Sequence, residues 1–138
     1  MRLPCAGANL RRAARMVTQL YDEALRPTKM RSTQFTLLQA LTLLPQASQK
    51  RLAELLGMDS TTLTRTLALL RKQGWVTSKT GDDRRELRLA LTASGIREYE
   101  RALPYWQSAQ SRLKQILGES ALQQMINATV RVSESVPR

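Results

Sequence analysis

The chain has 138 residues, the length of one domain, and sets 22 Lys and Arg against 11 Asp and Glu, a formal net charge of +11. A balance this basic favours a polyanionic partner, nucleic acid above all. With no histidine and a single cysteine, Cys5, the sequence excludes Cys/His zinc clusters, an intramolecular disulfide and catalytic triads or dyads that need an imidazole.

Apolar residues Leu10, Ala13, Ala14, Val17, Leu20, Tyr21, Ala24 and Leu25 recur at helical spacing with arginines largely between them, and Pro27 follows. This predicts a helix over 8–25. Ser32 or Thr33 is expected to cap a second helix whose apolar residues, Phe35 to Leu44, cover nearly its whole circumference. Such a helix belongs at the centre of the fold. Ser48 is the next cap, Leu52, Ala53, Leu55 and Leu56 form the inner face of a short helix, and Gly57 lets the chain turn. Asp59 or Ser60 caps the following helix, which stops at Gly74. Residues 75–79 and 87–91 alternate as two strands around a Gly-Asp-Asp turn. Two strands alone are marginal, so the hairpin must lean on the helices. Thr92 caps a long helix to Leu117, with Ile96, Tyr99, Leu103, Trp106, Leu113 and Leu117 stepping by three and four and Gln110 in the missing seat. That pattern predicts lengthwise packing on another helix, bent at Pro104. A last amphipathic helix follows Gly118.

At 100° per residue, Leu63, Leu67 and Leu70 share one stripe of the fourth helix, and Thr61, Arg65, Ala68 and Lys72 lie opposite, flanked by Thr62, Thr64 and Leu69. Such a face can read base edges in a major groove, arginine taking guanine O6 and N7, threonine a polar edge or a thymine methyl. Ser48, Gln49, Lys50 and Arg51 on the preceding helix could donate to phosphates. A solvated helix face would look the same in isolation. Its neighbours decide: a short helix and glycine turn precede it, and a hairpin bearing Arg84, Arg85 and Arg88 follows. A basic hairpin tip suits a minor groove or a run of phosphates, with Asp83 placed to orient Arg85 by a charge-assisted hydrogen bond.

The order LAELLGMDSTTLTRTLALLRKQGWV, then DDRRELRLALTASG, resembles the winged helix-turn-helix of the MarR family of bacterial regulators. The resemblance extends over essentially the whole chain. It implies a mainly α fold with a small β-hairpin wing, in one domain over 1–138. Residues 30–92 would form the DNA-binding module, and 1–26 and 93–138 the dimerisation helices. It further implies a homodimer on a palindromic double-stranded operator, the helix of Ser60, Thr61, Thr62, Thr64, Arg65 and Lys72 in the major groove, and Arg85 in the minor groove positioned by Asp83. The apolar seam and the first and last helices point to a dimer independently, because they exceed what a small winged module can cover.

MarR-like repressors answer either a small lipophilic effector or oxidation of a cysteine. Leu10, Arg11, Ala14, Phe35, Leu38, Tyr99 and Trp106 are the candidates for an effector pocket. Cys5 lies near the place of the reactive cysteine of peroxide-sensing members, but Ser32 and Phe35 stand where those members carry tyrosines. The expected function is therefore a dimeric, sequence-specific regulator, more often a repressor, released by a lipophilic or aromatic ligand. Alternatives are a Cys5 redox sensor, a basic architectural protein without sequence preference, and a helical interaction module. Six aromatics leave little for single-strand stacking. No Gly-rich phosphate loop or exposed-serine elbow is present, so neither an enzyme, a metal nor a cofactor is expected. No stretch nears the roughly 20 apolar residues that cross a bilayer and none resembles a signal peptide, so no membrane partner and a cytoplasmic location are expected.

Overall fold

The apolar pattern resolves into six helices and one hairpin in the computed structural model, which describes residues 1–83 and 85–137. In order they are α1 (Ala6–Leu25), a 3-10 turn (Arg26–Thr28), α2 (Ser32–Leu43), α3 (Gln49–Leu56), α4 (Ser60–Lys72), β1 (Val76–Thr80), β2 (Leu87–Leu91), α5 (Ala93–Leu117) and α6 (Glu119–Ser135). No helix among the described residues is long and apolar enough to cross a membrane.

Helix α2 is the centre, as its all-round apolar surface requires: Phe35, Leu37, Leu38, Ala40 and Leu41 are buried. Around it close Leu25, Leu52, Leu63, Leu67, Leu70 and Leu89, each fully buried. The expected cap of α2 is corrected. Ser32 is already helical and Arg31 takes the N-cap position without a side-chain cap bond. The orphan amides are met from elsewhere: Gln34 Oε1 accepts from Arg31 N–H at 2.9 Å, and Asp22 of α1 accepts from Ser32 N–H at 2.8 Å. Helix α1 thereby caps α2, and this tertiary contact has no local sequence signature.

The hairpin is antiparallel, in register from Val76↔Leu91 to Thr80↔Leu87. It leans on the helices through a contact that the sequence pattern does not reveal. Leu89 N–H donates to Ala47 O at 3.0 Å, and Ser48 bridges Arg88. The residues that start α3 thus extend the sheet by one short bridge and fasten the wing to the module.

Along α5 the expected seam holds in its middle, at Tyr99, Leu103, Trp106 and Leu113, and is corrected at its ends. Ile96 and Leu117 are 46% and 41% exposed, whereas Gly95, Ala102, Ala109 and Leu113 are buried. Small residues at 95, 102 and 109 let the helix approach its neighbours closely, with Tyr99, Leu103 and Trp106 packed at the sides. Gln110 occupies its seat for a polar reason, accepting a hydrogen bond from the Tyr21 hydroxyl of α1. Burial pushes the Tyr21 phenol above its ordinary pKa of 10.0, extending to more alkaline pH the range in which it donates. Arg101 Nη2 donates to Thr28 O at 2.9 Å, tying the α1–α2 turn to the same helix. Helix α5 continues through Pro104, which is exposed, so the carbonyl it leaves without a donor lies near solvent.

The strand-to-helix junction is the tightest contact. Thr92 N–H donates to Trp75 O at 3.0 Å, Thr92 Oγ1 donates to Gly74 O, and Gly95 N–H donates back to Thr92 Oγ1 at 3.0 Å. A Cβ on Gly95 would lie 2.0 Å from Trp75 O. Gly95→Ala is therefore expected to cost about 3 kcal/mol or more in urea unfolding, since neither backbone can yield. Gly57→Ala, which meets no neighbour but holds φ at 62°, should cost only about 1–2 kcal/mol.

Candidate nucleic-acid interface

The short helix and the reading helix are joined through a left-handed Gly57. Ser48 caps α3 by accepting from Arg51 N–H at 3.1 Å, and Asp59 caps α4 by accepting from Thr62 N–H at 2.8 Å. That backbone bond, reinforced by the Thr62 hydroxyl, holds the Asp59 carboxyl below its ordinary range. Leu63, Leu67 and Leu70 are fully buried, while Ser60, Thr61, Thr62, Thr64, Arg65, Ala68 and Lys72 are exposed. Neither Arg65 nor Lys72 makes an ion pair among the described residues.

The hydroxyls on this face are not equivalent. Thr62 Oγ1 donates to Asp59 Oδ2 at 2.8 Å, Thr66 Oγ1 to Thr62 O at 3.0 Å and Thr64 Oγ1 to Ser60 O at 2.7 Å. Thr64 also accepts from Gln49 Nε2 at 2.7 Å, a bond that locks the first turn of α3 onto the reading helix. Ser60 and Thr61 keep hydroxyls without a partner among the described residues. The proton donors this face can offer a base are therefore Arg65, Thr61 and Ser60, with Gln49 held beside them.

At the wing, Asp83 Oδ1 accepts from the backbone N–H of Arg85 at 3.0 Å, and Glu86 N–H donates to Asp83 O at 2.9 Å. The expected orientation of Arg85 by Asp83 thus takes a backbone form: the carboxylate shapes the turn that carries Arg85. Arg85 is exposed and without an ion pair among the described residues, whereas Arg88 is held by Glu86 at 3.1 Å. Arg84 lies outside the described residues.

A cavity of about 380 Å³ lies under the module. Its walls are Val17, Thr18 and Tyr21 of α1, the start of α2 from Ser32 to Thr36, Leu56 and Met58 at the α3–α4 turn, and Trp106 of α5. Of the residues expected there, Phe35 and Trp106 line it. Leu38 is fully buried core, and Tyr99 stacks on Phe35 at 5.3 Å rather than facing the space. Leu10, Arg11 and Ala14 lie on the exposed side of α1, away from the cavity walls. Among the described residues, no charged side chain lines the cavity. Met58 and Tyr21 carry no sequence signal for this role, because a turn residue and a helix-face aromatic read equally as packing.

Cys5 is exposed at the N-cap of α1, and its thiol and the Arg11 guanidinium both lie over Gly7. Among the described residues no acidic or Cys cluster could hold a metal.

The family profile described as MarR family matches residues 29–86. The fold is similar to the crystal structure of the M. tuberculosis transcriptional regulator MosR in complex with DNA, with a TM-score of 0.83 and 35% identity over 95% of this chain and 97% of that one. The HTH-type transcriptional regulator YwoH of Bacillus subtilis is 31% identical over 91 residues, 66% of each chain. CouR from Rhodococcus jostii RHA1, solved bound to p-coumaroyl-CoA, shares the fold at a TM-score of 0.80 and 21% identity, over 98% of this chain and 96% of that one.

The cap of the reading helix makes a pH-dependent prediction. Because the Asp59 pKa is lowered from 3.8 on folding, its contribution to stability is present above that value and lost as pH falls through the folded-state pKa. Asp59→Ala should lower the urea midpoint at pH 7, and the gap from the parent protein should narrow as pH is taken below 3.8.

Proposed function

Because this chain belongs to the MarR family of DNA-binding transcriptional regulators, we propose that it is a homodimeric repressor. It binds a palindromic operator and is released by an uncharged aromatic ligand. The observation that carries this is the face of α4 opposite its buried leucines, where an unpaired Arg65 stands beside Thr61 and a fixed Gln49. Set in a major groove, Arg65 reads guanine, while Ser48, Gln49 and Lys72 contact phosphates and Arg85 follows the minor groove or its edges.

The dimer is supported by apolar surface at both ends of the chain. Met16 of α1 is 60% exposed, Ile116 of α5 62%, and Ile126 and Val130 of α6 39% and 47%. Helix α6 buries no residue at all within one chain. A two-fold pairing through α1, α5 and α6 covers this surface and sets two copies of α4 about 34 Å apart, one turn of DNA.

The effector site is supported by the cavity beneath the α3–α4 turn. Its size suits a small bicyclic aromatic, its stacked wall of Phe35 and Trp106, 5.7 Å between ring centroids, suits a flat ring, and its uncharged lining disfavours an ion. Leu56 and Met58 sit on the turn between the two helices of the DNA module, so an occupant pushes directly on the placement of α4. The p-coumaroyl-CoA complex of CouR is consistent with effector binding within this fold. Oxidation of Cys5 is a separate mode of release that lacks a second thiol in this chain.

Five measurements test these assignments. Arg65→Ala should lose about 1–3 kcal/mol on the best site and relax base preference there. Arg85→Ala should weaken all sequences alike and lower the salt slope by about one. Equal affinity of the parent for the DNA flanking its own gene and for random DNA would favour an architectural protein instead. 2-Naphthol should quench Trp106 and release the DNA, while naphthalene-2-sulfonate of similar size should do neither. If both release it equally, the uncharged-ligand assignment fails. Release by hydroperoxide that Cys5→Ser abolishes would restore the redox alternative.

A further inference from the structure

We propose that Thr64 and Ala68 form a notch on α4 for the 5-methyl group of a thymine, next to the guanine read by Arg65. This assignment rests on α4 lying in the major groove. The residues at 61, 64, 65 and 68 occupy one face of the helix. Together with Ser60 they line a shallow concavity that opens to solvent. Ala68, at the middle of this face, offers a base nothing but a methyl.

Thr64 is the decisive residue. Its hydroxyl proton is already given to Ser60 O at 2.7 Å, and its oxygen already accepts from Gln49 Nε2 at 2.7 Å. It therefore has no proton to offer a base edge. What it presents without a partner is its methyl group, and the two hydrogen bonds hold that methyl in one rotamer, with no rotational freedom left to lose on binding. Thymine is the base whose major-groove edge carries a methyl group, and threonine and alanine methyls are its complement. Arg65, one residue along and free of acidic partners, is placed for the neighbouring base pair. A thymine beside a guanine is then the step that this face selects.

The test uses the DNA protected by the full-length protein, prepared with thymidine or with deoxyuridine, which removes the methyl alone. Loss of one methyl from an apolar contact is expected to weaken binding about fourfold per half-site, hence about fifteenfold for a two-fold operator. Single deoxyuridine substitutions should trace the effect to one thymine per half-site, adjacent to a guanine whose N7 is shielded from dimethyl sulfate. Thr64→Ser keeps both hydroxyl bonds, leaves only the Ala68 methyl in the notch, and should discriminate the two DNAs less than the parent does. Thr64→Val keeps a methyl, loses both hydroxyl bonds, to Gln49 and to Ser60 O, and should bind both more weakly while retaining the discrimination. Equal binding of both DNAs by the parent protein, an effect spread evenly over all thymines, or full discrimination by Thr64→Ser would overturn the notch. If guanine N7 is not shielded anywhere in the site, the placement of α4 itself fails.

Discussion

The buried leucine stripe of α4 sets the terms for everything on its other face. Leu63, Leu67 and Leu70 are all completely buried in the core, where α4 packs on α3 and β1, and each contributes roughly 1.5–3 kcal/mol through burial. A good base contact is worth about as much as one of them. No single base can therefore rotate the helix to suit itself, and the DNA must fit a face fixed from behind. The Gln49–Thr64 bond extends this to α3, so the phosphate-facing and base-facing helices are presented as one rigid unit.

That unit is supported on a spine. Helix α5 packs on α1 and α2, clasps the α1–α2 turn through Arg101 and receives the Tyr21 hydroxyl at Gln110. The cavity lies between this spine and the DNA module, bounded by Trp106 on one side and by Leu56 and Met58 on the other. Tyr21 both lines the cavity and holds α1 to α5. The cavity thus touches both the helix-turn-helix corner and the packing of the spine, which is where the proposed effector would act.

Much of this was legible in the sequence, where hydrophobic period and punctuation agreed. The leucines at 63, 67 and 70, the caps at Ser48 and Thr92, and the glycines at 57 and 74 placed α3, α4 and the hairpin nearly residue by residue. What escaped detection arises from contacts between distant segments. The cap of α2 comes from Asp22, ten residues away. The third edge of the sheet is a bridge at Ser48, too short to have a period. The seam of α5 uses Tyr99, Leu103, Trp106 and Leu113 as their spacing suggested, but also Gly95, Ala102 and Ala109, which the spacing did not mark, because close approach is a property of the pair of elements. The cavity followed the same rule: Phe35 and Trp106 stood out as aromatics, while its hydroxyl-lined wall looked like ordinary caps and helix surface. The saturation of Thr64 could not be read at all without knowing where Gln49 lies.

The flush contact of Gly95 on the Trp75 carbonyl joins the wing to the beginning of α5 with no room for slip. Helix α5 has 25 residues, roughly 37 Å of nearly rigid rod at 1.5 Å per residue. In the proposed dimer its far end is held by the partner, so the rod works as a lever with the wing at its tip. A change of about 5° at the held end carries the wing roughly 3 Å, close to the ~3.4 Å rise of one base pair. Displacement by a single step of the double helix is enough to put every phosphate contact out of register. In the proposed dimer, a modest shift in how two copies cross would be amplified, through one glycine, into the difference between holding an operator and letting it go.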